Sequence, residues 1–245
     1  MSPSSKFSVI VPVYNEAATI GPLLDRVLAS PVVGEVVVVN DGSTDGTSEA
    51  LEALAQCSRV KVVSHERNRG KGAAIRTGIR HVTGDFVIVQ DADLEYDPTD
   101  YEGILRVLED PSVSVVYGSR RLMTSNPMSS LSFFLGGVTL TWIANLLYGT
   151  RITDEPTCYK AFRTDLLKSL PLQCEGFEFC PEVTALVARR GIRISEVPIH
   201  YYPRGTADGK KIRARHWFEA VGVLVRLRLR PSGRRPVPQP HEEQR

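Results

Sequence analysis

The strongest constraint on the fold is a repeated alternation between short apolar runs, rich in β-branched residues, and longer helical patterns. Such runs predict buried strands, whereas apolar residues at three- and four-residue spacing predict helices. Strands that alternate with helices in this way predict an α/β fold with a doubly wound, mostly parallel central sheet. The predicted strands are Phe7–Val13, Glu35–Val39, Val60–Ser64, Phe86–Val89 and Val113–Tyr117.

The helical patterns and the composition of the chain ends set the expected domain boundaries. We expect one domain over residues 7–230, a disordered segment at 1–6 and a disordered, proline-containing tail at 231–245. After Thr150 the alternation is less regular, and a last strand is expected at Ile192–Pro198. The predicted helices are Ala17–Ala29, Asp45–Ala55, one that opens near Gly70, Thr164–Leu170, Glu178–Arg190 and Arg213–Arg230.

Two aspartates, Asp91 and Asp93, flank Ala92 directly after the fourth predicted strand. Ligands of a doubly wound sheet bind at the carboxyl ends of its strands. Mg²⁺ and Mn²⁺ prefer a few carboxylate oxygens together with oxygens of a substrate phosphate, so the pair indicates a nucleoside diphosphate site with a metal. Taken alone the pair is a weak signal, because turn chemistry also favours aspartate after a strand.

Further polar motifs follow the first three predicted strands. Pro12–Glu16 offers an aromatic ring that can stack on a base and a carboxylate that can accept hydrogen bonds from ribose. Asp41–Thr47 combines glycines with acids, and Arg67–Gly72 places cationic groups at a helix start, which suits phosphate. Each motif has a structural alternative, because acids and small polar residues also begin helices. Only their combination is specific.

In this order the motifs resemble the inverting family-2 glycosyltransferases of the GT-A fold, and within them the polyprenyl-phosphate, dolichol-phosphate-mannose-synthase-like branch. The resemblance covers about residues 7–215. It implies a Rossmann-like sandwich in which residues 7–120 bind a nucleotide sugar of the GDP-mannose or UDP-glucose type, and residues 121–230, with amphipathic helices, bind the acceptor. The implied nucleotide-sugar-binding residues are Pro12, Tyr14, Glu16, Asp41, Lys71, Asp91, Ala92, Asp93, Arg204, Lys210 and Lys211.

The resemblance also assigns the metal and the chemistry. Asp93 would ligate Mg²⁺ or Mn²⁺, and Glu95 would share the ion at a position where close relatives have glutamine. The cation and Arg204 would stabilise the leaving diphosphate, and the sugar would invert in a single displacement. Asp154 is the first candidate for a base or an acceptor-orienting residue. The acceptor-side residues are Arg120, Asp154, Glu178 and Glu182, of which the last two also suit the first turn of a helix.

Two features favour a polyprenyl-phosphate acceptor at an anionic membrane surface. Leu122–Thr150 contains no charged side chain, whereas residues 204–235 contain ten Lys or Arg and two acids. The uncharged stretch carries apolar residues at helical spacing, which favours an amphipathic or core-facing helix over a membrane span. We expect peripheral attachment at the cytoplasmic face, although the last helix would equally pack on the sheet or form a homodimer. The apolar residues at that spacing are Leu131, Leu135, Val138, Trp142 and Leu146.

Other function classes stay open or are disfavoured. A soluble family-2 enzyme that acts on a saccharide or small-molecule hydroxyl would keep the donor site, and so would a non-catalytic nucleotide-sugar-binding module. Nucleic-acid binding has little support, because only Trp217 and Phe218 accompany the basic residues as stacking platforms. The four cysteines lack zinc-ligand spacing, and Met1–Lys6 lacks an apolar segment, which favours a cytoplasmic location. The base and the sugar of the donor are left open.

Overall fold

The structure, a computed structural model, describes residues 6–127, 130–204 and 214–231. Strands and helices alternate along this part of the chain, as the apolar runs predict. The strands are β1 (Phe7–Val13), β2 (Val33–Asn40), β3 (Val60–Ser64), β4 (Phe86–Val89), β5 (Val115–Ser119), β6 (Lys160–Arg163) and β7 (Ser195–Pro198). The helices are α1 (Ile20–Ala29), α2 (Thr47–Leu54), α3 (Lys71–Ile79), α4 (Tyr101–Leu108), α5 (Leu131–Tyr148), α6 (Thr164–Ser169), α7 (Phe179–Arg189) and α8 (Ala214–Leu229).

The strands described form one seven-stranded sheet in the order β3-β2-β1-β4-β6-β5-β7. Every strand pair is parallel except the two pairs that β6 makes, with β4 and with β5. The prediction of an α/β fold with a mostly parallel central sheet is therefore confirmed. Because β2, β1 and β4 are parallel neighbours, their carboxyl ends lie side by side at one edge of the sheet.

Two elements were not predicted from the sequence. The antiparallel strand β6 is only four residues long and includes Lys160 and Arg163, so it does not read as an apolar run. The helix α4 has a clear amphipathic spacing, since Tyr101, Ile104 and Leu108 are buried, and this spacing was available in the sequence. The inserted strand separates the parallel β1–β4 half of the sheet from β5 and β7.

The core has two parts. The larger part lies around the sheet, where the side chains of β1 are all buried and α3 packs on β1 and β2. The smaller part lies among α5, α7 and α8 and contains Leu140, Ala144, Ala185, Ala220 and Leu224. These three helices therefore form a second layer that is held together by its own apolar contacts.

The apolar stripe that predicted an amphipathic or core-facing helix points mostly outward in α5, with Leu131, Trp142 and Leu146 62%, 63% and 66% exposed. The core-facing alternative therefore does not hold for this stripe. The buried residues are Leu140, Thr141 and Ala144 instead. Small side chains let helices approach closely, so this narrow face packs against α7 and α8 while the larger side chains stay outside.

The last helix, α8, packs mainly on α5 and α7, whereas one of the predicted alternatives placed it on the sheet. Its buried side chains are on one face and include Val223 and Leu227, while Phe218 and Leu229 are 69% and 78% exposed. The predicted disorder at 1–6 and 231–245 falls almost entirely on residues outside the described ranges. Those predictions, and the division at residue 120, stay predictions.

Two helical glycines give a matched test of the packing of α3 on β1. A Cβ on Gly78 would lie 2.5 Å from Cγ2 of Ile10, whereas a Cβ on Gly103 in α4 would meet nothing within 4 Å. We expect Gly78→Ala to lower the free energy of unfolding by about 1–3 kcal/mol, because the methyl overpacks the core. Gly103→Ala should raise it by about 0.5–1 kcal/mol through helix propensity. Urea denaturation measures both changes, and an unaltered Gly78→Ala protein would contradict this packing.

Candidate active site

One large cavity, of about 1460 Å³, opens at the carboxyl ends of β1, β2 and β4 and extends to α5 and α8. Its wall includes every predicted nucleotide-sugar-binding residue that the structure describes. Lys210 and Lys211 lie outside the described residues. The predicted residues on the wall are Pro12, Tyr14, Glu16, Asp41, Lys71, Asp91, Ala92, Asp93 and Arg204.

Asp41, which follows β2, is 3% exposed, and hydrogen-bond donors from the chain surround its carboxylate. Its Oδ1 accepts hydrogen bonds from the backbone N–H of Arg69 at 2.9 Å and from Nδ1 of His65 at 2.7 Å. Its Oδ2 accepts from the backbone N–H of Gly70 at 2.8 Å. The carboxylate therefore fixes the loop after β3 against the loop after β2.

Two glycines make this close approach possible. Gly42 has φ +68°, and a Cβ there would lie 2.5 Å from the backbone carbon of Arg67. Gly70 has φ +98°, and a Cβ there would lie 2.4 Å from the carbonyl oxygen of Glu175. Both positions combine a left-handed backbone with backbone contact, so glycine is needed at each of them.

The acidic pair after β4 has unequal members. Asp91 is paired with Lys71, whose Nζ lies 2.5 Å from Oδ1. No cation among the described residues forms an ion pair with the carboxylate of Asp93, and burial, Asp91 and Glu95 together raise its pKa to about 7. Leu94, between Asp93 and Glu95, has φ +61°, a conformation that costs energy for a branched side chain and often marks a functional turn. Negative charge is thus concentrated here without full compensation.

Glu95, predicted to share a metal with Asp93, has both carboxylate oxygens engaged. Its Oε2 accepts from the hydroxyl of Tyr201 at 2.8 Å, and its Oε1 accepts from the backbone N–H of Arg204 at 2.8 Å. Its backbone carbonyl accepts from Tyr202. The geometry makes Glu95 an anchor for the segment 201–204, and its share in a metal site stays a prediction.

Arg204 bridges two parts of the cavity. Its Nε donates to the carbonyl oxygen of Asp93 at 2.6 Å, and its Nη2 donates to Oε2 of Glu16 at 3.1 Å. Glu16 is itself positioned by the loop after β2, because its backbone N–H donates to Oγ1 of Thr47. A guanidinium group is therefore held between the predicted nucleoside end and the acidic pair.

Asp154, predicted as a base or an acceptor-orienting residue, is paired with an arginine. It is fully buried, and it accepts from Nε and Nη2 of Arg120 at 2.7 and 2.8 Å. Although burial acts to raise the pKa of Asp154, Arg120 holds that pKa below its usual value. A buried, paired carboxylate is a poor proton acceptor, so the geometry gives Asp154 the task of orienting Arg120, which lines the cavity.

The two predicted acceptor-side glutamates serve the loop before α7. Both oxygens of Glu182 accept backbone N–H groups, from Gln173 at 2.8 Å and from Cys174 at 2.9 Å. Glu178 accepts from the backbone N–H of Gly176 at 3.1 Å. Neither is among the described residues that line the cavity. Their donors are backbone N–H groups of the loop, so the two carboxylates hold this loop against the start of α7.

Several cavity residues were missed by sequence reasoning. Arg121 lies next to Arg120, and its Nη1 donates to the carbonyl oxygen of Thr153. The pair of arginines directly after β5 was a usable signal, since it follows a strand end like the other motifs. The wall of the cavity between α5 and α8 is mostly apolar. It forms where two helices distant in sequence pack together, so no single sequence motif indicates it. This part of the wall includes Phe133, Phe134, Leu135, Leu140, Trp217 and Phe218.

The residues present fit a hard divalent cation that a substrate helps to bind. Within the described ranges, no group of three or more His, Cys, Asp or Glu is arranged to hold a metal. Asp91 and Asp93 would therefore supply two ligand groups, and oxygens of a diphosphate would complete the coordination. The raised pKa of Asp93 agrees with this, because a carboxylate crowded by other acids is stabilised by added positive charge.

Comparison with solved structures supports the fold. A crystal structure of glucosyl-3-phosphoglycerate synthase from Mycobacterium tuberculosis, in complex with Mn²⁺, UDP and glucosyl-3-phosphoglycerate, matches with a TM-score of 0.72. The match covers 94% of this chain and 82% of that chain at 21% sequence identity. The α/β sandwich with a mostly parallel sheet is thus the GT-A architecture.

Curated relatives are sugar transferases named for lipid phosphates. The chain is 30% identical to the dodecaprenyl-phosphate galacturonate synthase of Rhizobium johnstonii over 82% of its length, and it spans 60% of that protein. It is 27% identical to a dolichyl-phosphate beta-glucosyltransferase of Trichomonas vaginalis over 91% of its length, and it spans 72% of that protein. The family model "Glycosyl transferase family 2" matches residues 8–169. The chain therefore belongs to glycosyl transferase family 2.

Proposed function

We propose that this enzyme transfers a hexose, with inversion, from a nucleoside diphosphate sugar to a polyprenyl phosphate. The observation that carries the proposal is the shape of the cavity, which joins a polar end at Asp41 and Asp93 to an apolar end between α5 and α8. A substrate pair with one highly charged member and one long apolar member matches this division. The names of the relatives, which act on dodecaprenyl and dolichyl phosphates, agree with it.

The polar end suits the donor. Asp91 and Asp93 would hold Mg²⁺ or Mn²⁺, which, when bound, supplies positive charge to the diphosphate as the sugar departs. Arg204 donates hydrogen bonds to the carboxylate of Glu16 and to the backbone carbonyl of Asp93, and both residues lie on the cavity wall. A leaving diphosphate at this end would accept charge-assisted hydrogen bonds from the guanidinium, and such bonds are stronger than a bond to a neutral carbonyl.

The middle of the cavity suits an acceptor phosphate. Arg120 is aimed by two hydrogen bonds to Asp154, and its guanidinium lies 5.0 Å from the ring centre of Tyr201. A phosphate monoester is largely ionised near neutral pH, so as a nucleophile it needs no base. This agrees with the engagement of Asp154, Glu178 and Glu182 in other contacts.

The outer faces of α5 and α8 suit a membrane surface. Within the described residues, α5 is the one helix long and apolar enough to cross a membrane, with a mean hydropathy of 1.5, and 17% of it is buried. Exposed Trp142, Phe218 and Leu229 would enter the interface, and Arg226 and Arg228 on α8 would contact anionic headgroups. Peripheral attachment at the cytoplasmic face would bring the apolar end of the cavity to the lipid.

A second candidate is a soluble enzyme that acts on a small phosphorylated acceptor. Arg120 and Arg121 would recognise any phosphate, and the structural neighbour is named for a phosphoglycerate product. The exposed apolar surface of α5 favours the lipid acceptor over this candidate.

The first test removes the proposed metal ligand. Asp93→Ala should lower hexose transfer to a polyprenyl phosphate at least about a hundredfold while leaving the melting temperature within a few degrees, because charge stabilisation of the leaving group is lost. Transfer from UDP-glucose and GDP-mannose is measured with Mn²⁺, and exposed Asp110→Ala is the control. Undiminished turnover by Asp93→Ala at saturating metal would refute the role. Parallel assays with phosphoglycerate and free sugars separate the lipid acceptor from the soluble alternative.

The second test concerns the pairing of Asp154 with Arg120. Asp154→Asn should lower the free energy of unfolding at pH 7 by about 1–3 kcal/mol. This is less than for a fully buried ion pair, because the Arg120 side chain is 23% exposed and solvent screens its charge. The pKa of Asp154 is lower in the folded protein than its unfolded value of 3.8. The ionised carboxylate therefore contributes its full stabilisation at pH values above 3.8, and this stabilisation is lost as the pH falls below 3.8. Urea denaturation at pH 7 and pH 3 should therefore show a difference that shrinks in acid. Exposed Asp25→Asn is the control, and a pH-independent difference would contradict the pairing.

The third test concerns membrane attachment. The protein should co-float with vesicles that contain anionic lipid at low salt, and less so at high salt. The double variant Trp142→Glu, Leu146→Glu should remain in the soluble fraction. Arg106→Glu, exposed on α4, changes the net charge by the same two units and should still float. Failure of the unaltered protein to float would count against the membrane surface.

A further inference from the structure

Glu155, the residue after Asp154, has a buried carboxylate oxygen without a partner. Its side chain is fully buried, and no group among the described residues forms a hydrogen bond with Oε2. The other polar atoms of Glu155 are engaged. Its N–H donates to Oγ1 of Thr141 at 3.0 Å, its carbonyl accepts from Nζ of Lys160 at 2.6 Å, and its Oε1 accepts from Oγ1 of Thr184 at 3.1 Å. A buried polar atom without a hydrogen bond is costly, so we expect Oε2 to gain a partner when a ligand binds.

Glu155 lies on the cavity wall, between the acceptor part and the donor end. On one side of it, Asp154 pairs with Arg120, the proposed acceptor residue. On the other side, Sγ of Cys158 lies 3.9 Å from Nζ of Lys71 at the donor end. A sugar that passes from a diphosphate to a nucleophile must lie between the two. Glu155 therefore lies beside the place of the transferred sugar.

A buried network holds the carboxylate of Glu155 in place. Nζ of Lys160 in β6 lies 3.8 Å from Oε1 and 3.7 Å from the ring centre of Tyr117 in β5. The hydroxyl of Tyr117 lies 3.0 Å from Oγ1 of Thr184 in α7, which also contacts Oε1. All three of these side chains are fully buried. Two strands and a helix thus fix the position of Oε2 before any ligand arrives, which lowers the entropy lost on binding.

The partner of Oε2 has to suit both protonation states of Glu155. Burial raises the pKa of Glu155, whereas the nearby ammonium group of Lys160 acts to lower it. An ionised oxygen only accepts a hydrogen bond, and a protonated one also donates. A hydroxyl group both donates and accepts, so it satisfies Oε2 in either state. An ionised phosphate offers no donor and would be repelled by the ionised carboxylate.

We propose that Oε2 of Glu155 binds a hydroxyl group of the transferred hexose and thereby contributes to the selection of the donor sugar. The assignment rests on the proposed function, in which the donor sugar carries hydroxyl groups and the polyprenyl chain carries none. A site built to bind a hydroxyl group rejects an analogue that lacks it, because the buried oxygen then stays unpaired. An ordered water is the alternative partner, and the test distinguishes the two.

The test compares each nucleotide sugar with its own nucleotide. Isothermal titration of the full chain with UDP, UDP-glucose, GDP and GDP-mannose, in the presence of Mn²⁺, isolates the contribution of the sugar. Glu155→Met alone would leave Lys160 buried without its carboxylate. The variant is therefore Glu155→Met together with Lys160→Met, because apolar side chains of similar length replace a buried ion pair without loss of stability in many proteins.

The double variant should lose affinity for the sugar but not for the nucleotide. Affinity for the nucleotide sugar should fall about tenfold to a hundredfold, the range expected for a hydrogen bond to a charged group. Affinity for the nucleotide alone should be unaltered. Among single-deoxy analogues of the bound donor, one should bind the unaltered protein more weakly than the parent sugar. This difference should vanish in the double variant, because the two changes remove the same interaction.

Thr157→Val is the matched control. Oγ1 of Thr157 is the other buried side-chain atom without a hydrogen bond among the described residues, and Thr157 is not among those that line the cavity. This variant removes an unpaired hydroxyl group from the same segment and should leave both affinities unaltered. Thermal melting of each variant shows whether it folds.

The remaining outcomes contradict the assignment in distinguishable ways. No loss in the double variant, or an equal loss for nucleotide and nucleotide sugar, overturns it and leaves water as the partner of Oε2. A loss confined to phosphoglycerate, titrated in parallel, also overturns it, because the hydroxyl group then belongs to an acceptor. Failure of the unaltered protein to bind any of the nucleotides or nucleotide sugars removes the proposed function as well.

Discussion

Two backbone hydrogen bonds that continue the sheet beyond its strands hold the site together. The N–H of Asp41 donates to the carbonyl of Val13 at 2.8 Å, and the N–H of Gln90 donates to the carbonyl of Ile10 at 2.9 Å. Both bonds attach a neighbouring chain segment to β1. They carry the parallel register past the strand ends, so the three loops that follow β1, β2 and β4 leave the sheet side by side.

The network of side chains builds on this register. Glu16 after β1 contacts Thr47 from the β2 side, and Asp41 collects donors from the loop after β3. Arg204 then ties the first strand end to the acidic pair. Contacts that are distant in sequence thus converge because parallel strands end together, which explains how a short list of motifs can mark one cavity.

The sequence predicted the parts of the fold that rest on local pattern. β1, β3 and β4 match their predicted bounds residue for residue, because each is a short apolar run with clear polar ends. The strand β6 was not predicted, because it forms through tertiary pairing with β4 and β5 and its own sequence has no strand pattern. For the apolar stripe of α5, the sequence left an amphipathic and a core-facing orientation open, since spacing shows that a face exists but not what covers it.

The candidate site shows the same limit at the level of single residues. Motif order brought together the residues of the donor end, from Tyr14 to Arg204, in one cavity. It did not predict that Asp154 would accept hydrogen bonds from Arg120, or that Glu95 would accept them from segment 201–204. Hydrogen-bond partners of this kind are set only in the folded chain. Charge type alone therefore overestimates how many carboxylates are available to substrates.

The contacts of Arg204 have a consequence for the energetics of a catalytic cycle. This arginine is already paired with the carboxylate of Glu16 and hydrogen-bonded to the backbone carbonyl of Asp93. Capture of a diphosphate would then exchange one set of electrostatic partners for another instead of creating a new set. Under the proposed function, such an exchange would keep the net gain in binding free energy small, so that the nucleoside diphosphate product would dissociate readily.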